Sequence, residues 1–210
     1  MTHGTLSRHR AVLLVLQQLF GQLELLQEQR VYLVEAITGF AVWMKQHLPL
    51  LTVSEFFDSG RPPAQNDAIP HQDLHRLTFA DRSFDLVICN ERFEHVYDLP
   101  LALREILRVL RPGGRLLATF PMAFGQLESV IKARWNHSTG TPEYLEEPDY
   151  YGDPILPDQG SLVYQIPGWE VLDQARATGF HTAIIHAVTS WKHGVLGGDI
   201  SGVLVLEAQR

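Results

Sequence analysis

Apolar positions near the start of the chain recur at the spacing of a helix. They fall at steps of three or four residues and comprise Val12, Leu16, Leu19, Leu23 and Leu26. A stripe of this period predicts an amphipathic helix with Ser7 as its N-cap, in a segment (residues 1–29) that packs on the body of the protein. The alternative is a helix that pairs two copies of the chain, which would make the protein a homodimer.

Short apolar runs follow, separated by helical patterns. The runs predict strands at 31–34, 50–53, 84–89, 115–120, 181–188 and 202–207, and the patterns predict helices at 39–46, 101–110 and 169–177. Asp98 is placed to cap the second of these helices. Strands that alternate with helices predict an α/β fold with a mainly parallel sheet covered on both faces. The last two strands have no convincing helix between them, so we expect them to pair antiparallel at one edge.

Two stretches show neither the spacing of a helix nor the apolar run of a strand. Residues 58–72 hold one glycine and three prolines, which favour a loop over a helix. Residues 122–166 are rich in Pro, Gly, Tyr and Trp, and they predict a long irregular insert within a single domain at 30–210. The aromatic side chains of such an insert either stack on a bound molecule or pack the insert onto the sheet.

Composition limits the binding partners and the cellular compartments that we expect. The 210 residues include 17 Lys and Arg against 24 Asp and Glu, a net charge of −7, so we expect no nucleic-acid partner. Cys89 is the only cysteine, which excludes an internal disulfide and favours a reducing, cytoplasmic compartment. The uncharged stretch 11–23 is too short to span a bilayer, so we expect no membrane insertion.

Polar side chains stand where several predicted strands end. Glu35 follows the first strand, Glu55 the second and Asn90 the third, while Asp73 precedes the third. Ligands of open α/β sheets bind beyond the carboxyl ends of the strands, and an acid about 20 residues past the first turn accepts hydrogen bonds from a ribose. The series therefore favours a cofactor that contains adenosine, with Asp73 facing its amino group. Taken singly, each acid is as consistent with a helix cap or a solvated loop.

Residues 73–121 carry the motifs of a known family. The stretch reads DLHRLTFADRSFDLVICNERFEHVYDLPLALREILRVLRPGGRLLATFP, with an acid-Leu-x-x-Leu-x-Phe-x-Asp-x-Ser-Phe-Asp run, Glu-His-Val and Leu-Arg-Pro-Gly-Gly-Arg-Leu. It resembles the class I S-adenosylmethionine-dependent methyltransferases of the small-molecule, type 11 group. The resemblance implies a Rossmann-like sheet of seven strands, mostly parallel with the last strand antiparallel. It also implies S-adenosylmethionine as the cofactor, bound by Glu35, Gly39, Glu55, Phe56, Asp73, Leu74 and Asn90.

The first turn departs from that family's pattern. The family has an acid followed by Gly-x-Gly-x-Gly, whereas here Glu35 precedes Ala-Ile-Thr and Gly39. The two earlier glycines, which let the backbone approach a ligand closely, are absent. The adenine pocket would then be rebuilt by the loop that holds Phe56, Phe57, Ile69 and Pro70. The leading hypothesis is a working methyltransferase, and the alternative is a catalytically inactive binding or scaffold protein. A third hypothesis is an enzyme of this fold with cofactor-independent or decarboxylative chemistry.

We expect the methyl group to go to oxygen or nitrogen of a small-molecule or glycan-type acceptor. His95 is the candidate catalytic base because imidazole titrates near neutral pH, and a packing histidine is the alternative. Glu91, Glu94 and His95 form a Glu-x-x-Glu-His group of the kind that can share a cation. A turn does not ensure that three side chains converge, so we treat both acids as solvated and predict no metal.

Overall fold

The computed structural model describes residues 5–57, 68–153, 155, 158–198 and 200–210. The strands of its main sheet are β1 (Val31–Leu33), β2 (Leu51–Val53), β3 (Phe84–Asn90), β4 (Leu110–Thr119), β11 (Thr182–Val188) and β12 (Val203–Gln209). Short strands between β4 and β11 are β5 (Val130–Ile131), β6 (Ala133–Asn136), β7 (Thr141–Tyr144), β8 (Tyr150–Tyr151), β9 (Ser161–Leu162) and β10 (Gln165–Ile166). The α-helices are α1 (Ser7–Phe20), α2 (Gly39–His47), α3 (Leu99–Val109) and α4 (Val171–Thr178).

The main sheet has six strands in the order β11-β12-β4-β3-β1-β2. The first four strands along the chain are parallel, and β12 runs antiparallel to both β4 and β11. This topology confirms the Rossmann-like sheet with its last strand antiparallel. The strand order reverses between β1 and β3, because the chain first moves outward to β2 and then crosses to the other side of β1. Ligands of open α/β sheets bind at such a reversal.

The seventh strand that the resemblance implied is not formed by the described residues. Beside the end of β2 the chain makes only an isolated parallel bridge, between Glu55 and His71. Glu55 N donates to Pro70 O, and Gln72 N donates to Glu55 O, each at 3.0 Å. Pro70 has no N–H of its own, so it cannot extend a ladder at this edge. The loop predicted at 58–72 lies in large part (58–67) outside the described residues.

Both faces of the main sheet are buried, as a parallel sheet requires. On one face, α3 and α4 pack through residues such as Ile106 and Ala175. On the other face, α1 and α2 pack through Leu16 and Phe40 among others. The N-terminal helix therefore contributes its apolar stripe to the core. No helix among the described residues is long and apolar enough to cross a bilayer.

The start of α1 differs from the prediction by one residue. Leu6 is the N-cap and Ser7 is the first helical residue. The His9 ring accepts the Leu6 N–H at 3.2 Å, which satisfies the backbone donor of the N-cap residue. The Ser7 hydroxyl instead donates to the carbonyl of Gly194, in the connection between β11 and β12, at 3.1 Å.

The insert at 122–166 is partly ordered into short strands, whereas most of its described residues lie outside regular elements. It contains three two-stranded antiparallel pairs, β5 with β10, β6 with β7, and β8 with β9. Strands of two to four residues are too short to show an alternating pattern in the sequence. Trp135 stacks on Tyr97 with ring centroids 5.4 Å apart, and the His137 ring meets Tyr97 edge-on. These two aromatic side chains pack the insert onto the domain.

Candidate functional site

The carboxyl ends of β1, β3 and β4 bring three polar side chains together where the strand order reverses. Asn90 Nδ2 donates to Glu35 Oε1 at 2.8 Å, and Thr119 Oγ1 donates to Asn90 Oδ1 at 3.1 Å. Glu35, Asn90 and Thr119 are all buried. Two of the predicted cofactor residues, Glu35 and Asn90, are therefore direct partners.

Glu55 supports the turn that follows β1. Its Oε1 accepts the Ala36 N–H at 2.8 Å, and its Oε2 accepts from Arg92 at 2.7 Å. Burial raises the pKa of Glu55, and the charge of Arg92 and the Ala36 N–H oppose that shift. The Lys45 ammonium donates to Ala36 O at 3.2 Å. Side chains thus fix a turn that, in the resembled family, glycines shape.

Arg92 was not anticipated as a site residue. It is the second residue after β3, and its guanidinium extends across the end of β1, donating to Val34 O at 3.3 Å and to Glu55. The Glu55 side chain is only 2% exposed, so this is a buried ion pair. The pairing joins two elements that lie 37 residues apart along the chain.

The remaining predicted cofactor residues have different surroundings. Gly39 is the first residue of α2, next to the N-cap Thr38, whose hydroxyl accepts the Ala41 N–H. The Phe56 ring is 48% exposed beside Glu55, and Leu74 is buried in the core.

Asp73 is a partner of His75. Its Oδ1 accepts from His75 N at 2.9 Å and from His75 Nδ1 at 2.7 Å. Partial burial would raise the pKa of Asp73, but the hydrogen bonds from His75 outweigh it and lower that pKa. The carboxylate is therefore ionised, and one of its oxygens is already bonded.

Glu94 contradicts the expectation of a solvated turn residue. It lies in the 3₁₀ turn Phe93–His95, is 1% exposed, and neither carboxyl oxygen has a hydrogen-bond partner. The insert covers it, because Tyr164 N donates to Glu94 O at 2.8 Å. Burial raises the pKa of Glu94 to about 8, and the nearby charge of Glu91 adds to this.

His95, the predicted base, is held by the same insert. Its Nδ1 lies 2.8 Å from Leu162 O, and because a carbonyl only accepts, Nδ1 carries a proton. The lone pair of the neutral ring is then on Nε2, which lies 3.7 Å from Glu94 Oε1. Burial lowers the pKa of His95, so the ring is neutral at pH 7. Among the described residues, no group of three or more His, Cys, Asp or Glu is arranged to hold a metal ion.

Glu91 has an unusual backbone conformation beside a cleft. Its φ is 48°, in the left-handed region that non-glycine residues rarely adopt and that is common at functional sites. Its N–H donates to Thr119 O at 2.7 Å. Burial raises the pKa of its carboxyl group, while the charge of Arg8 lowers it.

The cleft has a volume of about 550 Å³ and lies beside the ends of β3 and β4. Its walls are the first turn of α1, the segment after β4, and the connection between β11 and β12. Most lining side chains are apolar, and the charged ones are Arg8 and Glu91. Three lining side chains are also strongly exposed: Leu6 at 48%, Phe124 at 48% and Leu196 at 43%.

Comparison with known proteins decides the family. A family profile described as "Methyltransferase domain" matches residues 51–118. The demethylmenaquinone methyltransferase of Deinococcus radiodurans is 33% identical over 185 residues, which cover 81% of this chain and 75% of that protein. The chain belongs to the class I S-adenosylmethionine-dependent methyltransferases.

Two further comparisons agree with this membership. The ubiquinone/menaquinone biosynthesis C-methyltransferase UbiE of Dinoroseobacter shibae is 32% identical over 111 residues, which cover 50% of this chain but only 38% of that protein. The crystal structure of an S-adenosylmethionine-dependent methyltransferase from Mesorhizobium loti superimposes with a TM-score of 0.57 at 15% identity, over 88% of this chain and 92% of that one. At that identity the superposition shows the shared fold.

The donor set of this methyltransferase fits S-adenosylmethionine, the cofactor of the family. A carboxylate has about four lone-pair positions, and in Glu55 the Ala36 N–H, the Ile37 N–H and Arg92 fill three of them. Glu55 therefore has at most one position left for a ribose hydroxyl. The Phe56 ring, which lies 5.4 Å from the His71 ring, is 48% exposed and offers an apolar face to a base. The assignment of individual cofactor residues remains a prediction.

Proposed function

We propose that this methyltransferase acts on a small molecule with an apolar part, bound in the cleft beside β3 and β4. The cleft itself is the observation that carries the proposal, because about 550 Å³ is a typical size for a small-molecule site. Its lining combines apolar side chains with polar groups, so it suits an acceptor that has both an apolar part and hydrogen-bonding groups. Glu91 provides a carboxylate that can accept a hydrogen bond from an O–H or N–H group.

The cofactor supplies an electrophilic methyl group, so the chain must position the acceptor, exclude water and receive a proton. We assign His95 the role of base, with Nε2 as the atom that takes the proton. His95 is not among the residues that line the cleft, so the assignment requires a water molecule that relays the proton from the acceptor. The Leu162 carbonyl supports this role by holding the proton on Nδ1. Glu91, unlike His95, lines the cleft, and we assign it to acceptor binding.

Phe124→Ala tests the cleft as the acceptor site. Loss of this half-exposed ring should raise KM for an apolar acceptor about threefold to tenfold, because part of its apolar area no longer covers the ligand. The measurement is transfer of labelled methyl from S-adenosylmethionine to a panel of hydroxyl- and amino-substituted aromatic compounds. Ile184→Ala, equally exposed on β11 and outside the cleft lining, is the control. An equal rise in KM in both variants would contradict the proposal.

His95→Gln and Glu91→Gln separate the two assigned roles. The wild type should lose kcat as pH falls through the pKa of His95, which lies below the usual value for histidine because of burial. His95→Gln should abolish that acid limb and lower kcat at least about tenfold. Glu91→Gln should raise KM for the acceptor and keep the limb. An unchanged acid limb in His95→Gln would rule His95 out as the base.

Carbon is the competing acceptor atom, because a relative bears the name of a C-methyltransferase. The NMR chemical shift of the transferred methyl carbon distinguishes methoxy, N-methyl and C-methyl products. A C-methyl product would replace the assignment to oxygen or nitrogen and leave the assignment of the cleft intact.

A further inference from the structure

The first turn of α1 places a positively charged side chain in the wall of the cleft. Among the described residues that line the cleft, Arg8 is the only one with a positive charge. Its Nε is buried and has no hydrogen-bond partner. Native proteins seldom leave a buried donor without a partner, because the N–H group has lost its hydrogen bond to water and gained none in return. A group that enters the cleft and accepts hydrogen bonds from Arg8 would supply the partner.

Neighbouring arginines are already held by other parts of the protein. Arg10, on the same helix, donates to Gly194 O at 2.6 Å. Arg92 pairs with Glu55 at 2.7 Å. In the part of the chain that the structure describes, no residue accepts a hydrogen bond from Arg8 or forms an ion pair with it. The guanidinium of Arg8 therefore differs from the other two in having its donors available to a ligand.

A carboxylate is the anion that best complements Arg8 in this cleft. The N–H groups of a guanidinium form a planar fork that matches the two oxygens of a carboxylate. A phosphate group carries about two negative charges at neutral pH, and Glu91, the other charged residue of the lining, would repel it more strongly. Glu91 can also accept a hydrogen bond from an O–H or N–H group. The lining thus suits a molecule that combines an apolar part, one carboxylate and one hydroxyl or amino group.

We infer that Arg8 selects the acceptor by binding a carboxylate on it, so that the acceptor is a hydroxy- or amino-substituted carboxylic acid with an apolar part. The inference rests on the proposed function and names the class of acceptor for the same cleft. Arg8 is suited to selection because Val12 and Leu16 fix the later turns of its helix in the core. A fixed guanidinium in a partly enclosed cleft discriminates between a charged group and a neutral group of the same shape more strongly than an exposed one does.

The test uses two probes that have the same shape and differ in charge, hydroxynaphthoic acid and its primary amide. Each is titrated by calorimetry into protein saturated with S-adenosylhomocysteine, so that the cofactor site is occupied. Wild-type protein should bind the acid about 10- to 100-fold more tightly than the amide, because only the acid gains a charged hydrogen-bonded pair. Arg8→Gln should weaken binding of the acid by about the same factor and change binding of the amide less than about twofold. Arg8→Lys should bind the acid with intermediate affinity, since an ammonium keeps the charge but lacks the planar fork.

Lys192→Gln is the matched control. Lys192 carries the same charge, is exposed on the β11–β12 connection and does not line the cleft. The variant should keep the wild-type preference for the acid, which excludes an effect of net charge alone, and thermal unfolding establishes that each variant is folded. Equal weakening of acid and amide by Arg8→Gln, or unchanged binding of the acid, would overturn the inference. Weaker binding of S-adenosylhomocysteine to Arg8→Gln, with the acid unaffected, would assign Arg8 to the cofactor and overturn it as well.

Phe124→Ala distinguishes failure of this inference from failure of the proposed function. Weaker binding of both probes to Phe124→Ala, with no selective effect of Arg8→Gln, would keep the cleft as the acceptor site and overturn the role of Arg8. If neither variant weakens binding of either probe, or if neither probe binds the wild type at millimolar concentration, the inference and the proposed cleft fail together.

Discussion

Arg92→Ala should lower the free energy of unfolding by about 3–5 kcal/mol, because it leaves the buried carboxylate of Glu55 without its countercharge. The loss should be larger than that of an ordinary ion pair, since Glu55 also supports the turn after β1 through the Ala36 N–H. Urea unfolding at pH 7 measures it. The same variant should bind S-adenosylhomocysteine more weakly, because the turn and Glu55 lose their common support.

Arg111→Ala is the control for this prediction. Arg111 pairs with Asp85 at 3.0 Å, but its side chain is 37% exposed, and exposed pairs contribute no more than about 1 kcal/mol. The double variant Arg92→Ala/Glu55→Gln should recover part of the loss, because a neutral amide needs no countercharge. A cost for Arg92→Ala as small as that for Arg111→Ala would show that the buried pair does not hold the turn.

Glu94→Gln should stabilise the protein, and the gain should grow as pH rises from about 4.5 to about 8. The folded pKa of Glu94 is raised to about 8 by burial and by Glu91. In this window the unfolded carboxyl is ionised while the folded one keeps its proton, so the wild type loses stability with rising pH. At about 1.4 kcal/mol per pKa unit, the difference in the free energy of unfolding between Glu94→Gln and the wild type reaches a few kcal/mol. Urea midpoints at pH 5, 6.5 and 8 measure it.

Glu105→Gln is the control with the opposite sign. Arg108 donates hydrogen bonds to Glu105 and lowers the pKa of its carboxyl group in the folded protein. The Glu105 carboxylate therefore stabilises the fold when the pH is above the pKa that this group has in the unfolded chain. That contribution is lost as pH falls through the folded pKa. Glu105→Gln should therefore be less stable than wild type at neutral pH, with a deficit that shrinks on acidification. A pH-independent effect of Glu94→Gln would show that Glu94 ionises normally.

Two features of the fold and the site could be predicted from local patterns in the sequence. Asp98 caps α3 through the Leu101 N–H, as its position before the apolar stripe predicted. The meeting of Glu35 and Asn90 was also predictable, because the carboxyl ends of neighbouring parallel strands lie at one edge of a sheet. In both cases the determining contacts follow from short-range pattern and topology.

The missed parts of the site depend on contacts between distant segments. In the sequence, Arg92 has the features of an exposed turn residue. Its role depends on Glu55, which β2 places beside it only in the folded chain. Glu94 is buried because the insert, through Tyr164, lies over the turn, and two-residue strands leave no periodic signal that would place the insert there. The positive φ of Glu91 has no signal in the residue type, since Glu is not a residue that favours it.

The tie between α1 and the β11–β12 connection couples the position of the helix to the shape of the cleft. Ser7 and Arg10 both donate to the carbonyl of Gly194, and the same connection supplies Leu196 to the cleft wall. Because the first turn of α1 is itself a wall of the cleft, a displacement of the helix moves two walls together. A ligand whose binding displaces α1 would therefore change the affinity of the cleft for its own ligand, and linkage requires that effect to be reciprocal.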